Sequence, residues 1–81
     1  MEILLSEPFK RDYEKIRDTA LRERIYKAIT KLADLPDRGK PLRYAYKGNR
    51  RLRVDPFRIF YRIDGNIIRI TNFEHRAKAY N

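Results

Sequence analysis

The stretch Arg50 to Arg62, RRLRVDPFRIFYR, constrains the fold more than any other part of the chain. Leu52 and Val54 alternate with Arg51 and Arg53, and Phe57, Ile59, Tyr61 and Ile63 alternate with Arg58, Phe60 and Arg62. Successive side chains of a strand point to opposite faces, so this run predicts a ribbon with one apolar face and one rich in arginine. Asp55-Pro56 is the turn between its two arms.

A two-residue loop at Asp55-Pro56 sets Val54 opposite Phe57, Arg53 opposite Arg58, Leu52 opposite Ile59 and Arg51 opposite Phe60. Apolar then meets apolar, as a sheet with one buried face requires. Asp64-Gly65 is a second hairpin signal. Taken as the loop, it sets Tyr61 opposite Ile68, Ile59 opposite Ile70 and Phe60 opposite Arg69. Both turns agree on which face is apolar, which predicts a three-stranded meander. The same pairing makes Arg53 and Arg58 cross-strand neighbours, with Arg51 and Arg69 on their face. Like charges placed opposite one another destabilise a sheet. The arrangement suggests an anion that belongs there, although a solvated face with splayed arginines is the simpler explanation of a charge run taken alone.

Charge supports the anion. The chain has 81 residues and a formal net charge of +9. Residues 1–40 carry ten basic and eight acidic side chains, whereas residues 41–81 carry ten basic and three acidic. The excess sits on the meander half and is almost all arginine, whose planar donor fork suits phosphate. A polyanionic partner follows, nucleic acid or an acidic protein. The length predicts one domain over 1–81. With no cysteine and one histidine, neither a disulfide nor a zinc site is expected. Only Ile3 to Leu5 is apolar near the start, so neither a secretory leader nor a membrane span is expected, and the expected location is the cytoplasm.

Before the meander, Glu2 to Leu5 reads as a short strand. Ser6 can cap a helix with Glu7 and Pro8 in its first turn, and Phe9, Tyr13, Ile16 and Ala20 give that helix an apolar stripe. Asp18 or Thr19 can cap a second helix, with Leu21, Ile25, Ala28, Ile29 and Leu32 as its stripe and Leu35-Pro36 at its end. Asp37 to Pro41 reads as a loop, and Leu42 to Lys47 as a short strand or extended approach ahead of Gly48-Asn49. The last strand is predicted from Asn66 to Phe73, followed by a polar tail from Glu74. Tyr44, Tyr46 and Tyr61 are read as packing. The architecture is α+β: strand, helical hairpin, antiparallel meander (βααβββ), with the helices on one sheet face and the arginines on the other.

Catalytic chemistry is narrowly bounded. Ser6, the one serine, is a cap. Asp55, Asp64 and Glu74 are the only acids after residue 37, and the first two lie in turns. The three glycines form no phosphate loop. What remains is chemistry carried by Arg, His and Tyr, and RNA cleavage suits it. The 2′-hydroxyl is an internal nucleophile. The protein need only align it, stabilise charge gathering on the phosphate and move two protons.

The run Gly48 to Val54, then Phe57 to Ile63, then Phe73-Glu74-His75-Arg76 with Tyr80, resembles the RelE/ParE superfamily of toxins. The likeness extends over nearly the whole chain, lies nearest the RelE branch and implies the RelE-like microbial ribonuclease fold. It implies the toxin of a type II toxin–antitoxin system, an mRNA interferase that cuts codons in the ribosomal A site without a metal or other cofactor. By position, Arg51 and Arg53 would hold the RNA backbone and assist proton transfer. Arg58 would stabilise the reacting phosphate. Arg76 would contact phosphate and the leaving group. Tyr80 would stack on a base or activate the 2′-hydroxyl, and His75 is a further candidate for proton transfer. Arg43, Lys47 and Arg69 join the RNA-binding set. Some relatives carry lysine where this chain has arginine, and arginine stays protonated; the base then falls to Tyr80 or His75. The resemblance also implies a RelB-like cognate antitoxin, with mRNA in the 70S ribosome and rRNA as partners and no membrane. Two other functions stay open: a ParE-like inhibitor of DNA gyrase, and a non-catalytic relative that binds RNA or antitoxin.

Overall fold

The computed structural model describes residues 1–43 and 47–77. Strand β1, Glu2–Leu5, leads into helix α1, Glu7–Glu14, and helix α2, Thr19–Leu32. A 3-10 turn over Pro36–Arg38 and the two-residue strand β2, Lys40–Pro41, follow. Then come β3, Asn49–Val54, β4, Phe57–Asp64, and β5, Ile67–His75. The strands form one sheet in the order β1-β5-β4-β3-β2, with β1 parallel to β5 and the other pairs antiparallel. The α+β architecture read from the sequence is therefore present, with β2 as an added edge strand inside the segment expected to be a loop.

Both helices begin where capping chemistry allows. Ser6 Oγ accepts the Phe9 N–H at 3.1 Å, and Asp18 Oδ1 accepts the Leu21 N–H at 3.1 Å. Each satisfies a donor that the first turn leaves open. Ala20 lies in α2, exposed, rather than on the stripe of α1. Phe9 from α1 and Ile25, Ile29 and Leu32 from α2 pack on Leu52, Val54, Ile59, Tyr61, Ile68, Ile70 and Phe73 of the sheet. Each large apolar side chain buried this way contributes about 1.5–3 kcal/mol. None of the described helices lies on the opposite face, which carries the arginines.

Tyr61 is fully buried, and its hydroxyl is satisfied at both ends. It accepts the Gly39 N–H at 2.8 Å and donates to the Pro36 carbonyl at 2.8 Å. Arg50, on the helix side of β3, donates to the Gly39 carbonyl at 2.8 Å. These bonds bind the 3-10 turn and β2 to the sheet. Gly39 must be glycine here, because a Cβ would fall 2.5 Å from the tyrosine hydroxyl and 2.6 Å from its ring.

The β3–β4 register is as read from the sequence, with Arg53 opposite Arg58 and Arg51 opposite Phe60. The Asp55-Pro56 peptide in its turn is cis. The β4–β5 register differs from expectation in two ways. Asp64 pairs with Ile67, so the loop is Gly65-Asn66 rather than Asp64-Gly65, and Tyr61 faces Ile70 instead of Ile68. Gly65, the first loop residue, supplies the positive φ, +56°, that such hairpins favour. A bulge then interrupts the ladder between Phe60 and Tyr61, leaving Thr71 as the extra residue on β5. Beyond it Phe60 faces Asn72, Ile59 faces Phe73, Arg58 faces Glu74 and Phe57 faces His75.

Candidate functional site

The open face is a grid of side chains in three rows across β3, β4 and β5. Arg53, Arg58 and Glu74 form the first row, Arg51, Phe60 and Asn72 the second, and Asn49, Arg62 and Arg69 the third. A cleft of about 580 Å³ opens over the grid, lined by Arg51, Arg58, Phe60, Arg62, Asn72 and Glu74, with Leu42, Asn49 and Thr71 completing it. Arg58 lies at its base and is only 5% exposed, an unusual depth for a guanidinium. A phosphate in this cleft would meet arginines from two adjacent strands, and the planar guanidinium suits its oxygens.

The bulge decides what faces the cleft. With regular pairing through Thr71, Asn72 and Glu74 would join the apolar face and Phe73 would leave it. The inserted residue reverses this. Phe73 enters the core against Phe9 and Phe57, ring centroids 5.2 and 5.0 Å away, while Asn72 and Glu74 join the arginines. The bulge is anchored on both sides. The Ser6 hydroxyl donates to the Thr71 carbonyl. Thr71 Oγ1 has the Phe60 carbonyl at 3.1 Å and Asn72 Oδ1 at 3.0 Å as acceptors. Bulges commonly re-aim side chains beside active sites.

The sequence-predicted candidates do not all meet in the cleft. Arg51 and Arg58 share the cleft, and exposed Arg53 lies next to Arg58 in its row. Arg76 follows β5 in a turn, its N–H donating to the Pro56 carbonyl at 2.8 Å. Asp55 Oδ1 lies 3.9 Å from both Arg53 Nε and Arg76 Nη1, linking the tail arginine to the first row. His75 stands apart. Its backbone pairs with Phe57 and its ring meets Phe57 edge-on at 5.5 Å, on the helix side of the sheet. Its Nδ1 accepts the Ala77 N–H at 3.2 Å. The sequence offers His75 for proton transfer only if it lies near the phosphate, and the bulge turns it to the helix side instead. Arg69 faces Arg62 rather than Phe60, and its Nε lies 2.8 Å from Asp64 Oδ2. Asp64 also takes Arg62 Nη2 at 3.1 Å, which relieves the repulsion of that opposed pair. Arg43 and Lys47 are exposed near β2 and β3, and Tyr44, Tyr46 and Tyr80 lie outside the described residues. Sequence reasoning left Arg62, Asn72 and Glu74 out of the site. The missed signal was the change of apolar parity from Ile68 and Ile70 to Phe73.

Among the described residues, no three His, Asp or Glu side chains group as metal ligands. None of the described helices is long and apolar enough to cross a membrane.

The model for the ParE toxin of the type II toxin–antitoxin system parDE matches residues 3–80. The chain belongs to this ParE toxin family. Solved structures place the family fold within the RelE/ParE superfamily. The RelBE2 toxin–antitoxin complex of Mycobacterium tuberculosis matches at 26% identity and a TM-score of 0.81, covering 93% of this chain and 96% of that one. The intact RelBE complex of Escherichia coli matches at 14% identity and 0.77, covering 91% and 94%. The chromosomal ParDE system of Pseudomonas aeruginosa matches at 18% and 0.74, covering 93% and 95%. The comparison with curated proteins gives no match. The family assignment makes the chain the toxin of a toxin–antitoxin pair.

Proposed function

We propose that this toxin is a ribosome-dependent mRNA endonuclease that cuts in the A site and so stops translation in the cytoplasm. The observation that carries the reading is the cleft, which Arg51 and deeply set Arg58 line together with Phe60. In this reading the scissile phosphate lies over Arg58, and Arg51 and Arg53 hold the flanking backbone. Arg76 approaches from the hairpin tip toward the leaving oxygen. The 2′-hydroxyl attacks phosphorus in line, so neither a protein nucleophile nor a metal is required. Arginines placed where charge develops supply the main stabilisation. Phe60 offers a base a stacking surface. The ribosome would align the RNA strand, which a shallow sheet face does not do alone. A cognate RelB-like antitoxin would neutralise the toxin, consistent with the paired antitoxins in the RelBE2, RelBE and ParDE structures.

The ParE description of the matching family favours a second reading, inhibition of DNA gyrase through binding. Translating ribosomes carrying a defined mRNA separate the two. Codon-phased cuts that disappear in Arg58→Lys and Arg76→Ala variants support the endonuclease. Intact mRNA together with blocked gyrase supercoiling supports the alternative.

A further inference from the structure

The endonuclease reading needs a group that accepts the 2′-hydroxyl proton, and arginine is the wrong choice because it remains protonated. His75 lies on the other side of the sheet, with its Nδ1 engaged by the Ala77 N–H. Among the described residues lining the cleft, Asn49, Thr71 and Asn72 are neutral, Leu42 and Phe60 are apolar, and Arg51, Arg58 and Arg62 are cationic. Glu74 is the carboxylate. It stands directly opposite Arg58 on the neighbouring strand, and it is there because the Thr71 bulge reverses the parity of β5.

We propose that Glu74 is the general base of this toxin, an assignment that rests on the endonuclease reading. With the phosphate held over Arg58, a carboxylate one strand away reaches the ribose on the side of the attacking oxygen. Glu74 takes the proton from the 2′-hydroxyl as the O2′–P bond forms. The P–O5′ bond breaks, and the departing 5′-oxygen takes a proton from water. The ends are a 2′,3′-cyclic phosphate and a 5′-hydroxyl, and no oxidant, reductant or co-reactant enters. Arg58 faces Glu74 across the strand pair, and Arg51 and Arg62 share the cleft with it. This geometry gives the bulge a chemical purpose besides admitting Phe73 to the core.

The test is single-turnover cleavage of ribosome-bound mRNA across a range of pH, by wild type, Glu74→Gln, Glu74→Asp and Tyr80→Phe. Glu74 is exposed, so the isosteric Glu74→Gln change should leave folding intact, which a thermal melt checks. General-base loss lowers the chemical step by about 10²–10⁴-fold. The expected result is a loss of that size in Glu74→Gln with KM unchanged. The acid limb of its rate profile should disappear, and Glu74→Asp should restore part of the rate. Wild-type cleavage with Glu74→Gln equally fast and the acid limb retained overturns the assignment while leaving the endonuclease standing. So does loss of the limb in Tyr80→Phe alone. No cleavage by well-folded wild type overturns both.

Discussion

Arg58 and Glu74 face one another across β4 and β5, at the point where the sheet has just gained one residue. The guanidinium is 5% exposed whereas the carboxylate is open to solvent. One strand pair thus presents a buried cation with a reachable anion beside it, a pairing suited to holding a phosphate and deprotonating its neighbour. Arg58→Lys keeps the charge but loses the planar fork. It should lower cleavage by about 10²-fold or more, the scale of losing one preorganised donor to transition-state charge. The melting temperature should fall far less. Single-turnover rates and thermal melts on the same preparation check both.

Thr71 is the second prediction. Deleting it closes the ladder without moving its neighbours, because Asn72 then follows Ile70 opposite Phe60, Phe73 stays opposite Ile59 and Glu74 stays opposite Arg58. The deletion should therefore retain RNA cutting and most of its stability. Phe73→Ala, which empties that place in the core, should cost about 3–5 kcal/mol and unfold at much lower urea. Ser6→Ala is milder. It removes the helix cap and the tie to the Thr71 carbonyl, and should cost about 1–2 kcal/mol in a urea titration.

Much of this fold is legible in the sequence because two simple periodicities govern it. Alternation over Arg50–Ile63 sets the β3–β4 register, and Ser6 and Asp18 mark the helix starts. The β4–β5 pairing is less legible. Gly65-Asn66 and Asp64-Gly65 are both acceptable two-residue loops, and shifting between them moves each partner by two residues without changing its face. The bulge is a one-residue event, so every side chain after Thr71 changes face. Hence alternation from Ile68 and Ile70 does not bring Glu74 to the face of Arg58. Arg51 and Arg58, which lie before the irregularity on β3 and β4, were placed on the correct face from alternation alone.

Tyr61 and Gly39 give a third prediction. Tyr61→Phe strips the Gly39 N–H and the Pro36 carbonyl of their shared partner in a buried place. The cost should be about 1–3 kcal/mol. Gly39→Ala should be more damaging. Combining it with Tyr61→Phe should not rescue it, because the ring carbon at 2.6 Å obstructs the Cβ as the hydroxyl does. Burial raises the Tyr61 hydroxyl above its usual value of 10.0 despite the Gly39 hydrogen bond. Above that pH the unfolded chain releases this proton first, so stability falls as pH rises; Tyr61→Phe lacks this component. Denaturant midpoints from neutral to alkaline pH measure it.

Asp64 governs the acid side. The Arg62 hydrogen bond, followed by that of Arg69, holds its carboxyl below the ordinary value of 3.8. As pH falls past that value, the unfolded chain takes up the proton before the folded one does, so unfolding is favoured progressively until the folded carboxyl also titrates. The contribution is fully present at higher pH. Asp64→Asn should flatten this part of the acid-denaturation curve and leave Arg62 opposed to Arg69. Since the site is solvent-exposed, added salt should shrink the difference between the two proteins. Urea midpoints at several acid pH values, with and without salt, check the sign.

The most direct test of the account concerns the substrate rather than the protein. An mRNA with a single 2′-deoxynucleotide immediately 5′ of the scissile phosphate is programmed into ribosomes beside its all-ribose twin, and both are exposed to the toxin. The account predicts a phased cut with a 2′,3′-cyclic phosphate in the ribose strand and none at that position in the deoxy strand. Equal cutting of both strands would contradict it, because the attacking oxygen could not then be the 2′-hydroxyl.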